Sequence, residues 1–307
     1  MIRTENLNKR FGEDRGVFDL NLHVPKGSIY GFVGHNGAGK TTTIKILCGL
    51  LKPDSGKAFI SDVEVTPSNF AKIKQNVGYM PDIYGVYEQM SVWEYLDFYG
   101  AAFKIPKKNR KARIEEVLEI TNATHMIDYQ VSSLSRGMGQ RIGLAKTLIH
   151  DPELLILDEP AGGLDPNARI EMRHTIRRLK ELGKTILLSS HILPELATVC
   201  DQVGIISKGV LLAQGTVKEI SEQMQENITI EVVVDSDPTQ ASQILEAVNL
   251  VESVKEVDHN QLHITYAGPR DNVGEVLSYI MQQGVKVRWF AENEANLEDV
   301  FMDITNK

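Results

Sequence analysis

The residues best suited to chemistry lie early in the chain, where three glycines precede a lysine and a threonine. Residues 34–41 read Gly-His-Asn-Gly-Ala-Gly-Lys-Thr, between an apolar run at 29–33 and a helical run at 42–50. Glycines let backbone N–H groups close around phosphate oxygens, and the N-terminus of a following helix adds positive charge. Lys40 supplies a point charge, and Thr41 offers a hydroxyl to Mg2+. The pattern predicts a purine nucleoside triphosphate site formed by Gly34, His35, Asn36, Gly37, Ala38, Gly39, Lys40, Thr41 and Thr42.

Two other interpretations of this loop are weaker. A glycine-rich turn could carry Lys-Thr by chance, an alternative that the rest of the chain must decide. A dinucleotide site would need a third glycine after Gly39, where the chain has Lys40, Thr41 and Thr42 instead.

A pair of carboxylates ends a second apolar run. Leu-Leu-Ile-Leu at residues 154–157 is followed directly by Asp158 and Glu159. The carboxyl ends of parallel strands meet at one edge of a sheet, so both acids should lie beside the phosphate loop. Asp158 would hold Mg2+ directly or through water, and Glu159 could act as general base toward an attacking water. Acids after a strand are usually solvated loop residues, but with the phosphate loop they favour hydrolysis.

A third motif lies between these two. Residues 134–141 read Leu-Ser-Arg-Gly-Met-Gly-Gln-Arg, and Ser135 can cap the apolar helical run that follows. A capped surface helix would give the same pattern. With all three motifs in order, however, residues 2 to about 220 resemble the ATPase subunits of ATP-binding cassette (ABC) transporters. The signature of that family is Leu-Ser-Gly-Gly-Gln, and its third and fifth positions, which vary, are Arg136 and Met138 here.

The resemblance implies that the ligand is ATP and that two cassettes pair. One complete set of motifs allows two sites in a homodimer, which is the expected form, and a heterodimer is the open alternative. Each phosphate loop would then face Ser135 and Gly137 of the other copy, with ATP in the interface. Asp165 matches the loop that communicates between the two sites. His191 matches a histidine that touches the γ-phosphate, and Phe11 matches an aromatic residue that stacks on adenine. From the residues alone, His191 could be an ordinary surface residue and Phe11 an ordinary core residue.

One position departs from the family's pattern. The resemblance places a glutamine that reaches Mg2+ after residues 79–81, where this chain has Asp82. A carboxylate can ligate Mg2+ with a shorter reach, so Asp82 joins Thr41 and Asp158 as a candidate metal ligand.

The segment around Asp82 is rich in aromatic residues. In the family this region forms a groove that receives the membrane permease, so residues 82–103 are the expected docking site for integral-membrane permease subunits. Several rings fall at helical spacing, and about half should belong to the core. The rings are Tyr79, Tyr84, Tyr87, Trp93, Tyr95, Phe98, Tyr99 and Phe103.

The elements that position these residues alternate between strands and helices over the first 223 residues. Strands are predicted at 29–33, 154–157 and 185–189, and residues 91–150 read as almost pure helix. The fold class is therefore α/β. With the resemblance it becomes a P-loop NTPase of the ABC type over residues 1–220, with a RecA-like core, an antiparallel β part and a helical subdomain at about 85–150.

The charge and the pattern both change near residue 220. Residues 224–307 hold 15 acidic and 5 basic side chains, whereas the whole 307-residue chain has a net charge of -8. Strands at 228–234, 251–257, 262–266 and 285–290 alternate with helices at 240–248 and 272–282, and a last helix follows at 297–304. The order β-α-β-β-α-β predicts a small α+β, ferredoxin-like accessory domain over residues 224–307. Its end resembles, more loosely, the extension of exporters whose permease is a separate polypeptide.

The composition excludes several classes of protein. No apolar run approaches the roughly 18 residues of a membrane helix, and the start lacks a secretory signal. Cys48 and Cys200 suggest neither a disulfide framework nor a zinc site and should be buried. Neither half is basic enough for a non-specific nucleic-acid binder, so no nucleic-acid partner is expected.

The leading hypothesis is an ATPase, peripheral on the cytoplasmic face of the cell membrane, that powers transport through a separate permease, with export as the expected direction. One alternative is a soluble ABC ATPase that acts on ribosomes or nucleic acid. Another is a regulatory ABC module with little hydrolysis.

Overall fold

The computed structural model describes residues 1–13, 15–82, 85, 89–224, 228–258 and 260–292, with the backbone alone at 221–224. The chain divides into two units, Met1–Val217 and Lys218–Lys307. The helix expected at 297–304 and the rings of Tyr84 and Tyr87 lie outside the described residues.

The strands of the first unit are β1 (Ile2–Arg10), β2 (Gly16–Leu20), β3 (His23–Val24), β4 (Ile29–Val33), β5 (Ser55–Ile60), β6 (Val63–Glu64), β7 (Val77–Met80), β8 (Leu154–Leu157), β9 (Thr185–Ser190), β10 (Gln202–Ser207) and β11 (Val210–Gly215). Its helices are α1 (Lys40–Leu47), α2 (Phe70–Asn76), α3 (Val92–Ala102), α4 (Lys107–Ile120), α5 (Arg136–Leu148), α6 (Pro166–Glu181) and α7 (Leu193–Ala197). Helix α8 (Val217–Met224) begins at the last residue of the first unit. The second unit continues with β12 (Ile228–Val234), α9 (Pro238–Glu246), β13 (Val251–Asp258), β14 (Gln261–Tyr266), α10 (Val273–Gln282) and β15 (Val287–Glu292).

A six-stranded sheet positions the chemistry-bearing residues. Its order is β11-β10-β4-β9-β8-β7, and all neighbours are parallel except β10 and β11. Strands β4, β8 and β9 are buried at every residue, as expected for central strands covered on both faces. The sheet brings the carboxyl ends of β4, β8 and β9 to one edge, which confirms the predicted α/β core.

A second, antiparallel sheet packs against this core. Its order is β2-β1-β5-β6, and β3 also pairs with β1. Side chains of both sheets and of α1 share one hydrophobic cluster, which includes Leu7, Leu20, Phe32, Ile44 and Ile60. The antiparallel part expected from the resemblance is therefore present.

The segment at 91–150 is less regular than the sequence indicated. Three helices, α3, α4 and α5, are separated by turns, and Pro106 stands at the N-cap of α4. Proline cannot continue a helix because it lacks an N–H group, so a single helical run cannot cross residue 106. The N-terminus of α3 is fixed by a capping box between Ser91 and Glu94.

The second unit has the ferredoxin-like arrangement that the sequence predicted. Its antiparallel sheet has the order β13-β14-β12-β15, with α9 and α10 as crossover helices. One hydrophobic cluster joins strands to helices through residues such as Val232, Leu245, Ile264 and Ile280. The strand predicted at 285–290 is displaced to Val287–Glu292 because Gly284, with φ +85°, forms the turn after α10.

Candidate active site

The phosphate loop joins β4 to α1 and is anchored at both ends. The Gly34 N–H donates to the Ser190 carbonyl (3.3 Å), and the Gly209 N–H donates to the Ala38 carbonyl (2.9 Å). Gly37 and Gly39 have φ values of +86° and +110°, which side-chain-bearing residues rarely adopt. Gly39 is the N-cap of α1, so the helix begins at Lys40 rather than at the predicted residue 42, and it ends at Leu47. The first-turn N–H groups of α1 thus lie next to the loop.

Lys40 is buried and points back into its own loop. Its Nζ donates to the Gly34 carbonyl (2.6 Å) and to the His35 carbonyl (3.4 Å). The same Nζ lies 3.3 Å from Oε1 of Glu159. The loop thus holds the lysine charge in the place where a phosphate chain would need it.

Two of the three candidate metal ligands, Thr41 and Asp158, meet at the edge of the sheet where β4 and β8 end. The Thr41 hydroxyl donates to Oδ2 of Asp158 at 3.0 Å, and Asp158 is 3% exposed. A hydroxyl and a carboxylate are hard oxygen ligands of the kind that Mg2+ uses together with substrate phosphates. Among the described residues no group of three His, Cys, Asp or Glu side chains could bind a metal by itself. The donor set therefore fits Mg2+ bound jointly with phosphate.

Glu159 holds a distinct conformation at the end of β8. Its φ is +51°, which is uncommon for a residue with a side chain. Its Oε2 lies 3.0 Å from Nδ1 of His191, and its Oε1 faces Lys40. The carboxylate thus lies between the phosphate loop and His191, which is half-exposed.

Sequence reasoning missed Ser189, which connects the two acids. Its hydroxyl donates to Oδ1 of Asp158 at 2.6 Å and accepts the Glu159 N–H at 3.0 Å. Ser189 is fully buried near the end of β9. Leu157 pairs with Leu188 in the sheet, so Asp158 and Ser189 follow side by side. The sequence did contain a signal for this role, because Ser189 is a polar residue at the end of the predicted strand that became β9.

The negative charge of Asp158 affects its neighbours. Burial raises the pKa of the Tyr79 hydroxyl, and Asp158 adds to that shift. Burial, with a further contribution from Asp158, also raises the pKa of the Cys48 thiol.

The two cysteines differ in burial. Cys48 is buried and Cys200 is half-buried, and both are free thiols. Only Cys48 of the two therefore meets the expectation that both are buried.

The phosphate loop, Thr41, Asp158 and Glu159 line a cavity of about 510 Å3. Phe11 lies on its wall and is 55% exposed, so it is not a core residue. Arg15 and Gly16 also line the cavity and were not expected from the sequence. The Phe11 N–H donates to the Arg15 carbonyl at 2.8 Å, so the connection from β1 to β2 brings both residues to the phosphate loop. Only the fold shows this approach.

Asp82 lies at the same cavity and also contacts α5, the helix that follows Ser135 and that we call the signature helix. It follows β7 and lines the cavity with Thr41, Asp158 and Glu159. Its Oδ1 lies 3.9 Å from Nη2 of Arg136, the first residue of α5.

Ser135, Gly137 and Asp165 lie at a different cavity, of about 540 Å3. Ser135 is the N-cap of α5 and accepts the Met138 N–H at 3.3 Å, as predicted. Asp165 caps α6 by accepting the Ala168 N–H at 3.0 Å. Within one chain, the lining of this cleft and that of the phosphate cavity have no residue in common.

The geometry defines the first unit as a P-loop nucleotide-binding domain. Comparison with known proteins refines that class. The ABC transporter family profile matches residues 17–162, and the profile of the C-terminal domain of ATP-binding protein DrrA1-3-like matches residues 215–305. The chain belongs to the family of ATP-binding subunits of ABC transporters, and within it to the exporter-type, DrrA-like group. It is an ATPase.

Relatives cover the whole chain. The bacitracin transport ATP-binding protein BcrA of Bacillus licheniformis is 37% identical over 99% of this chain and 97% of its own length. The Nod factor export ATP-binding protein I of Ralstonia nicotianae is 32% identical over 100% of this chain and 94% of its own. The structure of cbiO1 from Clostridium perfringens, part of the ABC transporter complex cbiONQ, is 26% identical, with a TM-score of 0.64 over 73% of this chain and 93% of that one. In the part of this chain that the structure describes, no helix has the length and apolar character needed to cross a bilayer.

Proposed function

We propose that this protein hydrolyses ATP with Mg2+ to drive export of a substrate through a separate membrane permease. The observation that carries the proposal is the convergence of Lys40, Thr41, Asp158, Glu159 and His191 at one edge of the six-stranded sheet. The relatives described above are named as transport and export ATP-binding proteins, which supports export as the direction of transport. The protein would act at the cytoplasmic face of the membrane.

The proposed roles follow from the contacts. Lys40 and the loop N–H groups bind the phosphates, and Thr41 and Asp158, with Asp82 as a third candidate, would hold Mg2+. Bound Mg2+ would neutralise charge on the phosphate oxygens. Glu159 accepts a proton from the water that attacks the γ-phosphorus, and the products are ADP and inorganic phosphate.

Two other residues support these groups. His191 would hold the Glu159 carboxylate through the 3.0 Å contact between its Nδ1 and Oε2, and the family resemblance implies that it would touch the γ-phosphate. Phe11 offers an exposed ring on the cavity wall for adenine. Stacking of a base on such a ring contributes roughly 1–3 kcal/mol.

A glutamine at position 159 tests the chemistry. Glu159→Gln keeps the shape of the side chain but removes the general base, so we expect turnover to fall about a hundredfold or more with ATP still bound. Phosphate release and nucleotide binding by the purified variant measure this. Near-normal hydrolysis would remove Glu159 from the mechanism.

We also propose that two copies complete each site. Ser135, Gly137 and Asp165 lie at a cleft apart from the phosphate loop, so a second copy could present its signature helix to the loop. ATP would then favour the closed dimer only through contacts that exist in it. Glu159→Gln with ATP and Mg2+ should sediment as a dimer. A monomer under those conditions, with the permease present, would refute the pairing.

The proposed permease contact is a groove beside the helical segment. A cavity of about 240 Å3 is lined by residues that include Tyr79, Tyr99, Phe103, Lys146 and His150. Nζ of Lys146 lies 5.2 Å from the centre of the Tyr99 ring, and burial lowers the pKa of its ammonium group. A carboxylate on the permease would offset that burial. Lys146→Ala should therefore weaken copurification of the permease, whereas Lys57→Ala, at an exposed position of β5, should not.

We assign residues 1–220 to the ATPase domain and 224–307 to an accessory domain. The acidic charge and the appended position of the accessory domain favour regulation or a dimer contact. Deletion of residues 224–307 should change the ATPase rate, dimerisation or permease assembly. If all three stayed unaltered, this role would be wrong.

A further inference from the structure

Arg136 makes two contacts that have no part in the proposed binding of ATP and Mg2+. It is the first residue of α5, and its side chain is 59% exposed, so core packing does not explain its position. One contact is with Asp82 beside the phosphate cavity, and the other is with Gly163 after β8. Asp82 is also the position at which the sequence departs from the family's pattern.

The contact with Gly163 is close. A Cβ placed on Gly163 would lie 2.6 Å from Cζ of Arg136, 2.7 Å from Nη1 and 2.9 Å from Nε. The guanidinium group therefore occupies the space of any side chain at position 163. Gly163 also has a φ of +66°, so both the conformation and the space favour glycine there.

Two overlapping turns follow Glu159, and Gly163 belongs to the second. The Gly162 N–H donates to the Glu159 carbonyl at 3.0 Å, and the Leu164 N–H donates to the Ala161 carbonyl at 3.3 Å. Glu159 itself has a φ of +51°, a conformation that its surroundings must maintain. A group pressed against these turns can therefore affect where the Glu159 carboxylate points.

The contact with Asp82 fixes the other side of the guanidinium. The 3.9 Å separation of Nη2 and Oδ1 is an ion pair rather than a hydrogen bond. Both side chains are exposed, so the pair adds little to stability. Its effect is thus on orientation, because it keeps the planar group over Gly163.

We propose that Arg136 is a positioning residue that joins the N-terminus of α5 to the turns after Glu159 within one chain, with Asp82 holding its guanidinium in place. Displacement of α5 would then reach the general base through this side chain. The inference rests on the proposed function, in which Glu159 activates water.

Hydrogen exchange in the nucleotide-free protein tests the contact directly. Arg136→Gln should raise the exchange rate of the 159–165 segment severalfold, and Arg136→Lys, which keeps the charge but loses the planar group, should do so less. Arg178→Gln, which removes an exposed arginine from α6, is the control and should leave that segment unchanged. Unchanged exchange in Arg136→Gln would overturn the proposal, because a contact made only with another copy's nucleotide would not alter this measurement.

Kinetics test the consequence. Arg136→Gln should lower kcat about fivefold to tenfold, with KM for ATP within about twofold of the wild-type value. Because the Arg136 contact acts on the position of the general base rather than on ATP binding, a raised KM with unchanged kcat would overturn the assignment. If the wild type hydrolyses ATP and Glu159→Gln does not, such a failure concerns Arg136 alone; if the wild type is inactive, the proposed function itself fails.

Discussion

Removal of the Ser189 hydroxyl should show how strongly the two carboxylates depend on one buried group. Ser189→Ala deletes the 2.6 Å hydrogen bond to Asp158 and leaves the Glu159 N–H without its acceptor. A hydrogen bond to a charged group contributes about 1.5–3 kcal/mol, and an unsatisfied buried donor costs about 1–3 kcal/mol. Since the two losses overlap in one site, we expect the free energy of unfolding of the first unit to fall by about 2–4 kcal/mol.

The same change should slow catalysis. A shift of the Glu159 carboxylate by about 1 Å can reduce a rate by roughly a hundredfold. We therefore expect kcat of Ser189→Ala to fall about tenfold to a hundredfold, with ATP still bound through Lys40. Phosphate release under saturating ATP measures kcat, and a binding titration measures affinity.

A neighbouring serine provides the control. Ser190 is also buried, but its hydroxyl accepts the Ile192 N–H and donates to neither carboxylate. Ser190→Ala should lose about 1 kcal/mol and keep kcat within about twofold. Trp93 and Trp289 are the two tryptophans, so a Trp289→Phe background lets fluorescence report the first unit alone. Equal kcat and stability for Ser189→Ala and Ser190→Ala would refute the reasoning.

Three further changes test other parts of the first unit. Lys40→Ala should reduce ATP affinity at least a hundredfold, because it removes the cation of the phosphate loop; unchanged affinity in a calorimetric titration would contradict the site. Burial lowers the pKa of His150 from its usual 6.5, and its ring stacks on Phe103 with centres 3.8 Å apart. The unfolded chain therefore takes up a proton below pH 6.5 before the folded one does, so stability should fall as the pH drops from 6.5 to the folded pKa; His150→Phe should flatten that slope, and equal slopes in the two proteins would count against it. Gly31→Ala should lower the free energy of unfolding by about 1–3 kcal/mol, because its Cβ would lie 2.9–3.0 Å from side chains that include Cys200 Sγ. Urea denaturation measures this, and an unchanged midpoint would show that the neighbouring side chains can move aside.

Local patterns were enough to predict the strands that position the site. The apolar runs before the phosphate loop and before Asp158 became β4 and β8 with the expected bounds. Their signal is strong because central parallel strands are buried on both faces and contain no alternating polar residues. The same holds for the ferredoxin-like order of the second unit, where alternation and turn residues mark each element.

Contacts between distant segments could not be predicted. Ser189, Arg15 and the pair of Arg136 with Asp82 matter because of their neighbours in space. A serine at the end of a strand or an arginine in a hairpin turn has an ordinary solvated explanation in the sequence. Helix ends were uncertain for a related reason: Gly39 caps α1 by adopting a positive φ, which composition alone does not fix.

The position of Lys40 has a consequence for the energetics of ligand binding. Its ammonium group faces the Glu159 carboxylate at 3.3 Å, and one cation cannot serve that carboxylate and a phosphate chain at full strength together. A triphosphate must therefore compete with Glu159 for Lys40, so part of its intrinsic affinity is used to separate the pair. The carboxylate released in this exchange is then available to water at the moment when the phosphate arrives. Occupancy of the loop and availability of the acceptor are thereby linked through a single side chain.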